Sequence, residues 1–171
     1  MDARYNYPSV VAVKIVVKKN DKVLLVREPE TNEWMPNRLS LPGGKLLLNE
    51  SINSALKRKI KTEVGLEVEI KGLIKIVDIL MPEKNVYHLV FLAEYRNGEI
   101  GDVKTESSNT AWYTKNDVFK FNADDYAEYY NAELIKEIFE DKYQLINLNA
   151  IFVQDNRNVN ITSWMKKGNS K

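Results

Sequence analysis

Two carboxylates, Glu50 and Glu63, flank a cluster of cations in LPGGKLLLNESINSALKRKIKTEVGLEV, Leu41 to Val68. The Pro42-Gly43-Gly44 turn leads into a helix, the layout of a phosphate-handling loop. The helix carries Arg58, Lys59, Thr62 and Glu63. Positions 59, 62 and 63 are three and four residues apart and share one helical face. Three carboxylates there would offer converging hard oxygens to Mg²⁺. Such an ion offsets phosphate charge and lowers the pKa of an attacking water. Glu63 is the one carboxylate among these three positions; Lys59 and Thr62 hold the others. Lys59 and Glu63 can pair with each other, in competition with a metal. An ammonium and a divalent ion about 5 Å apart repel by roughly 1.7 kcal/mol at a dielectric near 80, and several-fold more near 20. Glu50 lies about two turns before Arg58 if the helix is continuous. The guanidinium suits a bidentate grip on that carboxylate and would orient it.

These residues need a scaffold, and the flanking pattern supplies one. Ser9 to Val17 is rich in Val and Ile, Asn20-Asp21 is a turn, and Val23 to Val26 resumes the strand pattern, so a β-hairpin precedes the motif. Glu28 to Arg38 reads as a loop and Leu39 to Leu41 as a short strand entering Pro42-Gly43-Gly44. Ile52, Ala55, Leu56 and Ile60 make one apolar helix face, with Asn49 or Ser51 as cap and Gly65 at the C-terminal end. Val68 to Leu80 and Val86 to Tyr95 are strands joined through Met81 to Asn85. Ala111-Trp112-Tyr113 is a further short strand, and Thr114-x-x-Asp117 has the form of a capping box. A second helix is expected from Ala123 to about Tyr143, capped by Asn122. Its tyrosines, Tyr126, Tyr129 and Tyr130, are read as core packing against the sheet rather than as a nucleobase platform. Ile151-Phe152-Val153 is a candidate strand. Helices intermixed with strands favour a mixed sheet sandwiched by helices.

Composition excludes several classes of function. The chain has 171 residues, 44% of them hydrophobic and 29% charged, long enough for one domain with a real core. With 25 basic and 24 acidic residues the net charge is +1, so no global field points to nucleic acid or an anionic membrane. The basic tail Lys166 to Lys171 is too short to alter that expectation. There are no cysteines, which removes disulfides, thiolate metal sites and Cys nucleophiles. No apolar run approaches the roughly 20 residues of a membrane helix, and no secretory leader is evident, so a cytoplasmic protein is expected. A single histidine, His88, and no Gly-x-Ser-x-Gly leave a serine triad without support. Gly43-Gly44-Lys45 lacks the spacing of a Walker phosphate loop.

Gly44, Glu50, Arg58, Ile60, Glu63, Gly65 and Leu66 fall in register on G-x5-E-x7-R-E-U-x-E-E-x-G-U, where U is aliphatic. In this respect the chain resembles the Nudix family, with Lys59 and Thr62 as departures, and the resemblance covers about residues 8 to 142. It implies an α/β/α sandwich with a mixed sheet; residues 1–144 are read as that domain and 145–171 as a C-terminal extension, whose terminal tail is expected to be partly disordered. It implies a nucleoside diphosphate linked to another group as ligand, and pyrophosphate cleavage by water with Mg²⁺ or Mn²⁺. By the same resemblance Glu63 and Glu50 would hold the metal with the Gly44 backbone, and Arg58 would orient. Gly43, Gly44, Lys59 and Arg27 would lie against the ligand. A homodimer is compatible with the family. The two departures lead us to expect a pyrophosphohydrolase-type protein with an impaired metal site. The alternative is an inactive nucleotide-binding or regulatory module, in which Lys59 partly stands in for the metal on the pyrophosphate. A purely structural partner, drawing on the C-terminal segment, is a third reading.

Other residues compete for roles at the site. Family members often take a further Glu from beyond the box, and Glu94, Glu99 and Glu106 are available, with Glu106 best placed before Trp112. A surface carboxylate is the plainer reading of each, and Asp102 is no better. Arg27 and Glu28 end the hairpin near the mouth of the site, where Arg27 can hold a phosphate or serve as an edge charge. Trp34 can stack on a base or simply pack. His88, within an apolar run, is read as a satisfied strand residue.

Overall fold

The computed structural model describes residues 9–32, 35–100 and 109–147. Strands β1 (Ser9–Lys19) and β2 (Lys22–Arg27) form the expected hairpin. The turn between them is closed by Asn20 in the left-handed region, φ 54°, which asparagine tolerates better than most residues. Next come β3 (Leu39–Ser40), β4 (Gly43–Lys45) and α1 (Ile52–Val64). The long strands β5 (Glu67–Met81) and β6 (Lys84–Asn97) follow, then β7 (Asn109–Thr114), α2 (Lys115–Val118), α3 (Tyr130–Phe139) and β8 (Ile146–Asn147). The strand order is β3-β2-β1-β6-β5-β8, with β4 on β1 and β7 on β2. β1 and β6 run parallel while the other pairings are antiparallel, so the sheet is mixed.

Alternation along β1 explains the layers. Val13, Ile15 and Val17 point to one side, where they join Phe91, Ala93 and the α1 residues Ala55, Leu56, Ile60 and Val64 in one core. Val16 points to the other side with Val90 and Leu92, where Tyr126, Leu134, Ile135 and Ile138 cover the sheet. Period-2 strands and a period-3.6 helix thus meet in an α/β/α sandwich with a mixed sheet, as expected.

Both ends of α1 follow local chemistry. Ser51 is the cap, its hydroxyl accepting from Ser54 N–H at 3.2 Å, whereas Asn49 takes a left-handed turn position, φ 60°. Gly65 closes the helix at φ 72°, its N–H donating to the Ile60 carbonyl. The Thr114–Asp117 capping box is formed and starts α2.

Two local expectations are corrected. The helix expected from Ala123 to about Tyr143 is broken: Ala123–Asp125 is one 3₁₀ turn, and α3 begins at Tyr130. Tyr126 is extended between them, because it bridges Leu39 and drives its ring into the core. Ala127 N–H also donates to the Leu39 carbonyl at 2.8 Å, and this burial with strand-like bonding outweighs local helix preference. Gly43 and Gly44 do not form a free turn; they pair as strand β4 with Lys14 and Val13. Ile151-Phe152-Val153 and the Lys166 to Lys171 tail lie outside the described residues.

Candidate functional site

Beta-strand β4 brings the two glycines against α1. A Cβ on Gly43 would stand 2.1 Å from the Val13 carbonyl oxygen, so only glycine permits this approach of β4 to β1. The Gly43 N–H turns toward α1 and donates to Glu63 Oε2 at 2.8 Å. Lys59 Nζ donates to the other oxygen, Oε1, at 2.6 Å. The lysine stem lies over Gly44, with Cε 2.4 Å and Nζ 2.5 Å from where a Cβ would be. Strand β4, Glu63 and Lys59 form one connected array.

Glu50 lies elsewhere than a continuous helix would put it. α1 starts at Ile52, so Glu50 belongs to the preceding turn, not to the helix face. Arg58 still reaches it with the expected two-pronged grip: Nε to Oε1 at 2.6 Å and Nη2 to Oε2 at 2.7 Å. Leu47 N–H adds a bond to Oε2 at 2.9 Å. These donors, Arg58 first, hold the Glu50 carboxyl down at about 2, and the Glu50 carboxylate raises the Arg58 guanidinium in turn. Arg58 Nη2 also reaches the Lys45 carbonyl at 3.3 Å. The pair therefore ties the box loop to the helix. Thr62 turns its hydroxyl back on the helix, donating to the Arg58 carbonyl at 2.9 Å.

The remaining candidates separate. Arg27 points Nη1 at the Asn37 carbonyl, 2.6 Å away, and closes the loop after β2. Glu28 accepts from Asn32 in that loop. Glu94 is an exposed β6 residue paired with Lys71, and Glu99 is exposed. Trp34, Asp102 and Glu106 lie outside the described residues. His88 is buried, with Nδ1 2.9 Å from the Tyr130 hydroxyl, as a satisfied strand histidine would be. Of the tyrosines, Tyr126 is core, Tyr130 packs edge-on against His88, and Tyr129 is exposed.

A buried polar cluster escaped the sequence reading. Lys14 on β1 pairs with Glu128 before α3 at 2.5 Å and with Ser40 Oγ at 3.0 Å. Ser40 and Asn131 both donate to Glu128 Oε2, at 3.0 and 2.8 Å. Burial lowers the His88 pKa first, and the Lys14 charge lowers it further. The signal was legible: Lys14 is the one charge within AVKIVV, an otherwise apolar strand. It sits opposite Gly43 in the β1–β4 register, so this cluster backs strand β4 from the α3 side of the sheet.

A hard divalent ion takes several oxygen ligands with room to converge. Among the described residues no three His, Cys, Asp or Glu side chains come together in that way. Both Glu50 oxygens are engaged by Arg58, one of them also by Leu47 N–H, and Glu63 accepts from Lys59 and Gly43. The Lys59 ammonium stands beside the box carboxylate that a cation would need. Among the described residues, both box carboxylates are therefore taken by protein donors rather than turned toward a shared ion site.

Comparison with known proteins places the whole arrangement. A MutT-like protein of Streptomyces ambofaciens is 27% identical over 119 residues, 70% of this chain and 72% of that protein. An ADP-ribose pyrophosphatase of Methanocaldococcus jannaschii is 31% identical over 98 residues, and the match spans 56% of each chain. Among solved structures, a NUDIX hydrolase from Nitrosomonas europaea superposes with a TM-score of 0.73 at 20% identity, covering 86% of this chain and 98% of that one. At that identity the likeness speaks for the fold. The NUDIX domain model matches residues 8–136, from the start of the hairpin through the box and both core layers to α3. With the box residues in register and the sandwich built around them, the chain belongs to the NUDIX family.

Proposed function

We propose that the protein binds a nucleoside diphosphate linked to a further group, with divalent-metal-dependent hydrolysis of the pyrophosphate impaired. One observation carries the second half: the box carboxylates are committed to protein donors. Glu50 is held by Arg58 and Leu47 N–H, and Glu63 by Lys59 and Gly43 N–H. The ligand class is supported by family membership and by relatives such as the ADP-ribose pyrophosphatase. In this reading Gly43 and Gly44 bring backbone close to the diphosphate. The Arg58–Glu50 clamp fixes the box loop and Lys59 supplies positive charge. Mg²⁺ or Mn²⁺ would have to displace Lys59 from Glu63 before Glu63 could serve as ligand.

The test is product release from ADP-ribose, sugar nucleotides, dinucleotides and nucleoside triphosphates, with Mg²⁺, Mn²⁺ or chelator. Little or no turnover is expected, together with a rise in melting temperature on at least one ligand. Lys59→Glu with Thr62→Glu should then create or raise Mg²⁺-dependent turnover. Efficient metal-dependent turnover by the unaltered chain, abolished by Glu63→Gln, would refute the impairment.

A further inference from the structure

We infer that Lys59 is a tethered counter-ion, through which the site takes a diphosphate without any divalent metal. This inference rests on the proposed reading that the site receives a diphosphate at all. An ammonium has three protons to donate. One of them goes to Glu63 Oε1 at 2.6 Å. The side chain is 21% exposed, so solvent reaches part of it. Its stem rests on Gly44, which has no Cβ to push it away. The ammonium is thereby held at strand β4, whose backbone the proposed reading brings close to the diphosphate.

The local charge supports the same assignment. From Glu50 to Gly65 the chain carries four cations, Lys57, Arg58, Lys59 and Lys61, against two carboxylates, Glu50 and Glu63. Arg58 is occupied by Glu50 in a bidentate pair. Lys59 is the box-face cation whose partner is a helix neighbour four residues on, Glu63, in a pair that solvent still partly reaches, 21% and 23% exposed. A phosphate can share the ammonium with Glu63, because one ammonium has donors for both. A divalent ion entering the same space meets the ammonium as a like charge. A covalently attached cation cannot be chelated, so ligand binding by this site should be indifferent to chelator and sensitive to salt.

The experiment is calorimetric titration of the full chain with inorganic pyrophosphate and with ADP-ribose, in EDTA and again in Mg²⁺. The wild type, Lys59→Met and Lys59→Arg are compared, with circular dichroism to confirm that each is folded. The expected result is wild-type binding in EDTA that Mg²⁺ changes less than threefold. Lys59→Met should lose tenfold or more in EDTA, while Lys59→Arg keeps most of the affinity. Binding that requires Mg²⁺, or that Lys59→Met leaves intact in EDTA, overturns the tethered-cation assignment while the diphosphate reading stands. Absence of binding of either ligand by the folded wild type under both conditions overturns the diphosphate reading itself, and the assignment with it.

Discussion

Replacing Lys14 by Met should destabilise the protein by about 3–5 kcal/mol, the cost of breaking one side of a buried ion pair. The Lys14 and Glu128 side chains are 11% and 16% exposed and 2.5 Å apart. Met keeps much of the volume of the lysine stem and removes the charge. Glu128 is then left with Ser40 and Asn131, two neutral donors. Burial works to raise the Glu128 pKa, but the Lys14 charge and hydrogen bond, with smaller contributions from His88 and Ser40, hold it below the usual range. A depressed folded pKa contributes stability that is present above the unfolded value, about 4.3, and lost as pH falls through the folded one. In Lys14→Met burial prevails and the folded pKa rises above the unfolded value. Stability then falls as pH climbs from about 4.3 toward the raised folded value, so the deficit against wild type grows over that range. Urea unfolding at about pH 5 and pH 7, followed by circular dichroism, reads this directly. At about 2–4 °C per kcal/mol for a chain of this size, the melting temperature should drop by roughly 6–20 °C at neutral pH. Lys14→Met with Glu128→Met removes both charges and should recover most of the loss. A single-variant cost below about 1 kcal/mol at neutral pH, or a double variant no better than the single, refutes the account.

Further outcomes follow from the box and strand β4. Glu50, held at about 2 by Arg58 and the Leu47 N–H, should stay ionised through mild acid, and its stabilising contribution should be lost only as pH falls toward that value. Carboxyl-carbon NMR titration checks this, and Arg58→Ala should return Glu50 toward the ordinary range; an unmoved midpoint would count against the clamp. Gly43→Ala should cost about 1–3 kcal/mol, as an overpacked site does, because its Cβ would stand 2.1 Å from a backbone oxygen that cannot swing aside. Gly44→Ala should cost less, since its Cβ meets only the flexible end of Lys59, and equal losses in urea unfolding would contradict that distinction.

Features set by near neighbours in the chain were legible in advance. The β1–β2 hairpin, the Gly65 cap and the Thr114–Asp117 box each depend on residues a few positions apart. The Arg58 grip on Glu50 was also anticipated, although the carboxylate lies in a turn and not on the helix. The longer second helix failed because Tyr126 is claimed by Leu39, a partner 87 positions earlier that no helical pattern announces.

By itself the sequence determined the family's box, its two departures at Lys59 and Thr62, and the alternating patterns that build a mixed sheet between helices. Those signals are local, because backbone periodicity and capping act over one or two turns. The tertiary structure decided which groups meet across the fold. It put Gly43 N–H on Glu63, laid Lys59 over Gly44, turned Thr62 back onto its own helix and assembled Lys14, Ser40, Glu128 and Asn131 behind strand β4. Each such choice is a contest among hydrogen-bond and charge partners brought together by packing, so it has no answer until the strands and helices stand side by side.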